Sequence, residues 1–207
     1  MFLDIKGAFL NANPERLVHN LQKCKVSGKY INFMQSMLDR RATVLKFNSF
    51  TLEKTLIDNR IGQGYPLSMV LYQYYNADLL DLLDHEGKKA VAYVDNAFML
   101  VVGNDFQDVH KKLEDMMCKE KRVENWSKTH SSPLEYSKLT LINFTHRQNK
   151  VKSLALQLPH KTIELSESIK YLGVIINRNL TWKAQQAYVV KKGTIWAMQI
   201  WQLSCPL

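Results

Sequence analysis

A carboxylate at the tip of a strand-turn-strand segment is the feature that most constrains how this chain can fold. The segment Ala92-Tyr93-Val94-Asp95-Asn96-Ala97 lies between two apolar runs, residues 90–93 and 97–102, and both runs predict buried strands. The sequence therefore predicts a hairpin with Asp95 in its turn. A carboxylate beside so much apolar surface is costly to hold unless it binds a cation such as a metal ion.

A second carboxylate has a similar setting near residue 1. Asp4 ends a short apolar strand within Met1–Phe9. Two aspartates that meet on neighbouring strands of one sheet are typical of a two-metal phosphoryl-transfer site. Either aspartate alone is more often a turn residue or a helix cap. The sequence between them therefore has to distinguish a metal site from these ordinary roles.

Five short motifs occur in order along the chain. The first is Asp4 with Phe9 five residues later, the second is Gly62-Gln63-Gly64-Tyr65-Pro66-Leu67-Ser68, and the third is Tyr93-Val94-Asp95-Asn96. The fourth is Leu134-Glu135-Tyr136-Ser137-Lys138 with Phe144, and the fifth is Lys170-Tyr171-Leu172-Gly173-Val174-Ile175-Ile176 with Leu180-Thr181-Trp182. Together, over residues 2–182, they resemble the palm of a reverse transcriptase of the non-LTR, LINE-like retrotransposons.

The resemblance implies an α+β fold. It implies a reverse-transcriptase palm, with an antiparallel sheet backed by helices and the start of a C-terminal helical thumb. Residues 1–165 would be a partial palm, and residues 166–207 would be the palm-end strand and the start of the thumb. In the family, the fingers lie N-terminal to the first catalytic aspartate, so we expect this chain to be a fragment that lacks them.

Hydrophobic periodicity and capping residues predict the individual elements. Helices are expected after the cap Asn13, over 27–41, over 69–83, from the cap Asp105 to about Trp126, and over 182–201. Strands are expected over 43–47 and 50–57 as a hairpin, and over 139–144, 153–158 and 169–176.

The activity implied by the resemblance is RNA-templated DNA synthesis with two Mg²⁺ ions. Asp4 and Asp95 would hold the ions, and the backbone carbonyl of Ile5 would be a further ligand. Lys138 is similar to the basic residue proposed to protonate the pyrophosphate, although a lone lysine is otherwise simply solvated. The implied partners are an RNA template, a DNA primer and a dNTP.

Four residues are similar to those that contact the substrates in the family. Phe9 would be the steric gate that excludes a 2′-hydroxyl, although by residue type a core phenylalanine at a strand end is an equal alternative. Gln63 and Gly64 would form the floor beneath the incoming nucleotide, where glycine permits close backbone approach. Tyr93 would pack beneath the primer end.

Two departures from the family pattern bear on activity. Asn96 stands at the position of a second aspartate, and a neutral amide is a weaker magnesium ligand than a carboxylate. Gly62 stands where the family usually has proline, which predicts a looser loop before Gln63. Because of Asn96 and the missing fingers, we expect impaired or absent synthesis by this chain. The alternative is a non-catalytic retroelement remnant that acts at most as an RNA-binding module.

The distribution of charge suits a domain that handles nucleic acid. The net charge is +9, and residues 61–110 carry a net −5 between segments that are all basic. An acidic centre suits metal binding and basic flanks suit a phosphate backbone, although ordinary solvated helix faces could give the same pattern.

Several classes of protein are disfavoured by the sequence. No run reaches the ~18 consecutive apolar residues of a membrane span, so no membrane partner is predicted. Cys24, Cys118 and Cys205 are far apart, and no ligand-spaced cysteine or histidine pair occurs, so no structural zinc is predicted. Unpaired thiols and the lack of a signal-peptide pattern favour an intracellular protein, nuclear or cytoplasmic.

Overall fold

The structure, a computed structural model, describes residues 1–39, 41–56, 61–83, 87–120, 122–144 and 155–204. The chain divides into two units, Met1–Leu139 and Thr140–Leu207. The division predicted at residues 165/166, between a partial palm and the palm-end strand with the start of the thumb, stays a prediction.

The described helices and strands of the first unit are as follows. The helices are α1 (Ala8–Asn11), α2 (Pro14–Lys23), α3 (Gly28–Leu38), α4 (Pro66–Leu83), α5 (Phe106–Cys118) and α6 (Val123–Thr129). The strands are β1 (Phe2–Asp4), β2 (Ala42–Thr43), β3 (Lys46–Phe47), β4 (Phe50–Thr51), β5 (Thr55–Leu56), β6 (Lys88–Tyr93) and β7 (Asn96–Val101). A single turn of 3-10 helix spans Tyr136–Lys138.

A three-stranded antiparallel sheet in the order β1-β7-β6 forms the base of this unit. β6 and β7 are joined by a two-residue turn, Val94 and Asp95, so the predicted hairpin is confirmed. The prediction that both strands are buried is wrong for β6, whose residues alternate between half-buried and exposed because only one face of the strand is covered. Helix α4 packs against β6 and helix α5 against β7. The predicted α+β fold, an antiparallel sheet backed by helices, is confirmed.

Local signals fix where the helices begin. The side chain of Asn13 accepts hydrogen bonds from the N–H groups of Glu15 and Arg16, and Pro14 opens α2. Asp105 caps α5 by accepting from the N–H of Asp108. Such caps contribute about 1 kcal/mol each because they satisfy amides that have no partner within the helix.

Helix α4 supplies much of the core. It buries a run of apolar and aromatic side chains: Leu71, Tyr72, Tyr75, Leu79 and Leu83. The hydroxyl of Tyr75 accepts from the N–H of Asn13 at 3.1 Å and donates to the carbonyl of His130. One buried side chain thereby joins the start of α2, the middle of α4 and the end of α6.

The single helix predicted from Asp105 to about Trp126 is wrong, because the structure has two helices there. The backbone is extended at Lys119, where α5 ends, and α6 begins at Val123. Arg122 lies just before α6, and its guanidinium donates to the carbonyl of Leu82 at the end of α4. In α6 the side chain of Trp126 lies in the core, and 2% of the residue is exposed.

The hairpin predicted over 43–47 and 50–57 forms with short strands. β3 pairs with β4 and β2 pairs with β5, both antiparallel. Residue Ile57, at the end of the prediction, lies outside the described residues.

The second unit consists of two hairpins and a long helix. Its elements are β8 (Leu156–Leu158), β9 (Lys161–Ile163), β10 (Ser168–Tyr171), β11 (Val174–Asn177) and α7 (Lys183–Ser204). Helix α7 confirms the helix predicted over 182–201. Within the described part of the chain, no helix is both long enough and apolar enough to cross a membrane.

Two strand predictions in this region are wrong. The strand expected over 169–176 is the hairpin β10–β11, because Leu172 and Gly173 take left-handed backbone conformations with φ of 47° and 86°, as a tight hairpin turn requires. No strand forms over 139–144, where Thr140 and Leu141 are isolated bridge residues and Leu141 is bridged to Leu165. Of the strand expected over 153–158, residues 153 and 154 lie outside the described residues.

Candidate active site

Asp4 lies directly opposite Asn96 where β1 pairs with β7. The N–H of Ile5 donates to the carbonyl of Asp95 at 3.0 Å. This register makes Asp4 and Asn96 a pair without mutual backbone hydrogen bonds, and in such pairs the Cα atoms approach to about 4.5 Å with the side chains close together. The pairing therefore brings Asp4, Asp95 and Asn96 to the same end of the sheet.

The turn that carries Asp95 has an uncommon backbone. Val94 has a φ of 56°, and 7% of the residue is exposed. A β-branched residue with positive φ is an outlier, and such outliers cluster at functional sites because the surrounding structure must hold them in place. Here the carbonyl of Val94 accepts a 2.6 Å hydrogen bond from the buried side chain of Asn76.

Asp4 is paired with a lysine from a distant part of the sequence. Oδ2 of Asp4 accepts from Nζ of Lys138 at 2.7 Å, and the two side chains are 19% and 64% exposed. The segment before Lys138 is fixed beside β1, since the N–H of Glu135 donates to the carbonyl of Asp4 at 2.9 Å. The Asp4 carboxylate raises the pKa of Lys138, so the ammonium remains charged at neutral pH.

Asp95 is bonded to the neighbouring amide. Nδ2 of Asn96 donates to Oδ1 of Asp95 at 2.8 Å. The opposite amide orientation would set the Asn96 carbonyl against a carboxylate, which is unfavourable. In this geometry Asn96 orients the carboxylate and does not act as a third acidic ligand.

The oxygen donors at this end of the sheet suit a hard divalent cation. Mg²⁺ is commonly held by one or two carboxylates together with water and substrate phosphates. Asp4 and Asp95 supply two carboxylates, and the ammonium of Lys138 against Asp4 shows that the position attracts a cation. No group of three or more His, Cys, Asp and Glu side chains that could hold a metal ion occurs among the described residues.

The predicted substrate-contacting residues occupy three elements around this end of the sheet. Phe9 lies half-buried in α1, not at a strand end, with its ring centre 5.4 Å from that of buried Tyr72. Gln63 and Gly64 are exposed in the turn before α4, and Gly64 has a φ of 91°. Tyr93 ends β6 opposite Asn96. Their contacts with substrates stay predictions.

The loop that carries Gln63 is tied to α1. The N–H of Ile61 donates to the carbonyl of Phe9 at 3.1 Å. At the other end of the loop, the hydroxyl of Ser68 donates to the carbonyl of Gly62. The segments of Phe9 and Gln63 are therefore neighbours, as a shared nucleotide pocket would need.

Gly62 has a packing role that the sequence did not predict. A Cβ atom built on Gly62 would lie 2.2 Å from Cε2 of Tyr65 and 2.7 Å from Nη2 of Arg41. The Arg41 guanidinium lies over the Tyr65 ring, with Cζ 5.2 Å from the ring centre. The glycine makes room for the Tyr65 ring and the arginine above it, and the looser loop expected from a glycine here stays a prediction.

Asn76 is the residue of this site that sequence reasoning missed. It is 1% exposed on the apolar face of α4, where Tyr72 and Leu79 are also buried. The available signal was an amide four residues after Tyr72 and three before Leu79, on the helix face that these residues bury, because a buried polar group needs a partner. Its partner is 18 residues away, in a turn whose backbone the sequence does not reveal.

Comparisons with known proteins are consistent with this geometry. Residues 1–176 match the family model described as reverse transcriptase (RNA-dependent DNA polymerase). No curated protein matches the chain.

Three solved structures from Candida Tropicalis share the fold. Apo telomerase is 14% identical with a TM-score of 0.56, and 87% of this chain covers 31% of that one. Apo telomerase truncated from the C-terminal domain is 13% identical with a TM-score of 0.53, covering 87% and 34%. Telomerase in complex with the TWJ fragment of telomeric RNA is 12% identical with a TM-score of 0.52, covering 88% and 29%. The chain spans about a third of the length of these structures.

Proposed function

The chain belongs to the reverse transcriptase (RNA-dependent DNA polymerase) family, and we propose that it is the palm of such an enzyme from a non-LTR, LINE-like retrotransposon. The proposed reaction is DNA synthesis from dNTP on a DNA primer, directed by an RNA template. The observation that supports the proposal most is the register of β1 and β7, in which Asp4 lies opposite Asn96, the residue that follows Asp95.

In the proposed mechanism, Asp4 and Asp95 hold two Mg²⁺ ions, with the carbonyl of Ile5 as a further ligand. When bound, the ions activate the primer hydroxyl and neutralise charge on the leaving pyrophosphate. Lys138 donates a proton to the pyrophosphate, and the ion pair with Asp4, which raises the pKa of Lys138, keeps the lysine protonated until substrate binds. Before substrate binds, its ion pair with Asp4 holds the ammonium at the site.

The sugar and base of the nucleotide are held by the surrounding segments in this proposal. Phe9 meets the sugar and excludes a 2′-hydroxyl by steric clash. Buried Tyr72 supports the Phe9 ring from behind. Gln63 and Gly64 lie beneath the nucleotide, and Tyr93 beneath the primer end.

Asn96 favours a second candidate, a non-catalytic remnant that binds RNA. The amide leaves this sheet end with two carboxylates, and one oxygen of Asp95 is already engaged by Asn96. We therefore propose that magnesium binding is weak and that synthesis by this chain is slow or absent. In either case the proposed place of action is intracellular, nuclear or cytoplasmic, where RNA is available.

Divalent-cation binding and primer extension test the two candidates together. Mn²⁺ serves as the probe because its binding can be followed by electron paramagnetic resonance. We expect Asp4→Ala and Asp95→Ala to abolish Mn²⁺ binding and any extension of a primer on an RNA template. Asp81→Ala is the matched control, since Asp81 is an exposed aspartate of α4 paired with Lys23.

The outcomes separate the candidates. Extension that requires Asp95 supports the enzyme, and RNA binding without aspartate-dependent Mn²⁺ binding supports the remnant. Mn²⁺ binding equally insensitive to Asp95→Ala and Asp81→Ala would contradict the assignment of the site.

A further inference from the structure

We propose that Asn76 is a positioning residue that holds the Asp95 carboxylate in place through the Val94 carbonyl, an inference that rests on the proposed role of Asp95 as a metal ligand. Nδ2 of Asn76 lies 2.6 Å from the Val94 oxygen, and both residues are buried. Asn76 contacts neither metal nor substrate in this proposal and acts only through the turn.

The bonded carbonyl belongs to the peptide unit that joins Val94 to Asp95. A peptide unit is planar, so fixing its oxygen fixes the direction in which the chain enters Asp95. Val94 has positive φ, which a β-branched residue adopts only when its surroundings enforce it. The Asn76 bond is therefore placed where it can decide the orientation of the Asp95 side chain.

The other side of Asp95 is already fixed by the sheet. Its own carbonyl accepts from the N–H of Ile5, and Asn96 pairs with Tyr93 across β6–β7 and with Asp4 across β1–β7. The Val94–Asp95 peptide faces α4 rather than a strand. Asn76 thus fixes the peptide before Asp95 from the side of α4, as backbone hydrogen bonds fix Asp95 from the side of the sheet.

The burial of Asn76 is difficult to explain by core packing alone. Its Oδ1 is buried and has no hydrogen-bond partner within the described part of the chain. An apolar side chain would avoid that desolvation cost on this face of α4. The favourable bond from Nδ2 to Val94 is what compensates, which points to the turn as the reason for the amide.

Asn20 provides a matched control. It is also a fully buried asparagine with an unpartnered Oδ1, and its Nδ2 donates to the carbonyls of Tyr74 and Tyr75. Its bonds join α2 to α4 and do not reach the turn. Replacing Asn20 therefore reproduces the loss of a buried amide without releasing Val94.

The experiment compares Asn76→Leu with Asn20→Leu, and Asn76→Ala with Asn20→Ala in case the larger side chain prevents folding. The first measurement is hydrogen exchange of the Ile5 amide by NMR, since that amide donates directly to Asp95. The second is Mn²⁺ affinity. For the Asn76 variants we expect Ile5 exchange to rise about tenfold and Mn²⁺ affinity to fall about tenfold to hundredfold, the usual effect of losing a group that orients a ligand.

The Asn20 variants should lose thermal stability to a similar extent while changing both readouts by less than about twofold. Equal Ile5 exchange in the Asn76 and Asn20 variants would overturn the inference, whatever the metal does. Failure of the proposed function gives a different pattern, in which Asp95→Ala does not alter the Mn²⁺ binding of the chain. In that case Ile5 exchange still decides whether Asn76 fixes the turn.

Discussion

Asn96 donates a hydrogen bond from Nδ2 to Oδ1 of Asp95 over 2.8 Å. The two side chains are neighbours in sequence, and the bond forms where β7 leaves the hairpin turn. It partly compensates for the absence of a second carboxylate, because it orients the carboxylate that is present. The bond also engages an oxygen that a metal could otherwise bind. It therefore orients the carboxylate and at the same time weakens cation binding.

Asn96→Asp should strengthen divalent-cation binding. The change adds a negative charge beside Asp95 and replaces a donor by two acceptor oxygens, and we expect Mn²⁺ affinity to rise about tenfold, as a gain of about 1.4 kcal/mol would give. Without bound cation, the variant should be less stable, since two carboxylates then face each other. Titration with Mn²⁺ and thermal unfolding with and without the ion check both effects.

The control for this change is Asn125→Asp, which adds the same charge at an exposed position of α6. An equal rise in Mn²⁺ affinity in both variants would mean that only net charge matters. Primer extension should remain weak in Asn96→Asp, because one carboxylate does not position the primer and the triphosphate, and positioning can contribute ~7–11 kcal/mol.

Gly62 and Tyr65 should be coupled in stability. Gly62→Ala forces the Tyr65 ring away from Arg41, because the added Cβ would lie 2.2 Å from Cε2 of that ring. We expect a loss of about 1 kcal/mol in the free energy of unfolding, since neighbours in contact couple by ~0.5–3 kcal/mol. In Tyr65→Ser the same Gly62→Ala change should be nearly neutral. Urea unfolding of the unchanged chain, the two single variants and the double variant measures the coupling. Additive losses in the free energy of unfolding would contradict the proposed contact.

Two buried tyrosines of α4 should respond differently to loss of their hydroxyls. Tyr75→Phe removes the partner of the Asn13 N–H and of the His130 carbonyl, so we expect a loss of about 1–3 kcal/mol. The Tyr72 hydroxyl bonds no main-chain group among the described residues, and burial raises its pKa well above the usual range. Tyr72→Phe should therefore cost clearly less. Equal losses in chemical unfolding would show that Tyr75 does not join the three segments.

Stability should fall as the pH drops below about 6.5. Burial lowers the pKa of His130, and the charge of Arg16 adds to this effect. It is opposed by the hydrogen bond with the Trp126 carbonyl and by Asp78, whose Oδ2 lies 3.8 Å from Nε2. Burial also lowers the pKa of His110. Between the ordinary pKa of about 6.5 and the lower pKa of the folded state, the unfolded chain is protonated at these histidines and the folded chain is not. The free energy of unfolding is therefore largest above pH 6.5. It falls as the pH drops towards the folded pKa, by up to about 1.4 kcal/mol per pH unit for each histidine.

His130→Phe keeps an aromatic ring against Trp126, on which the imidazole stacks with centres 4.8 Å apart. The variant should have a shallower fall in unfolding free energy between about pH 7 and about pH 5, and His110→Phe should reduce the remaining slope. An unchanged slope in His130→Phe would exclude His130 as a source of the acid sensitivity.

The sequence was most predictive where a local pattern decides the structure. The apolar runs around Asp4 and Asp95 predicted the strands of the central sheet, because short apolar runs bounded by turn signals are typical of strands. Asn13 and Asp105 gave the starts of their helices, because a cap is a local hydrogen bond. The Asp4–Asn96 pairing follows once these strands are neighbours, which the resemblance to a palm implied.

Predictions failed where the structure depends on contacts distant in sequence. The break after α5 depends on where Arg122 and Trp126 meet α4, and no local residue marks it. The same holds for Asn76 and Val94, and for Gly62 and Tyr65, whose relationships exist only in three dimensions. At Leu172 and Gly173 the glycine is a local turn signal, but the apolar run on both sides of it predicts a single strand.

Binding to RNA should be strongly dependent on salt and independent of sequence. Each phosphate contact made by a lysine or arginine contributes about 0.7–0.9 to the slope of log affinity against log salt. Helix α7 presents Lys191 and Lys192 in an exposed stretch, and we expect the double change to Gln to reduce the slope by up to about 2. Lys23→Gln and Lys119→Gln are the controls, because those ammonium groups are already paired with aspartates within 2.8 Å.

Fluorescence anisotropy with a labelled primer–template, from about 50 to about 300 mM salt, gives the slopes. Affinity that stays constant across this range would contradict a nucleic-acid role, and equal slope changes in all variants would show that α7 is not the surface that meets the phosphates.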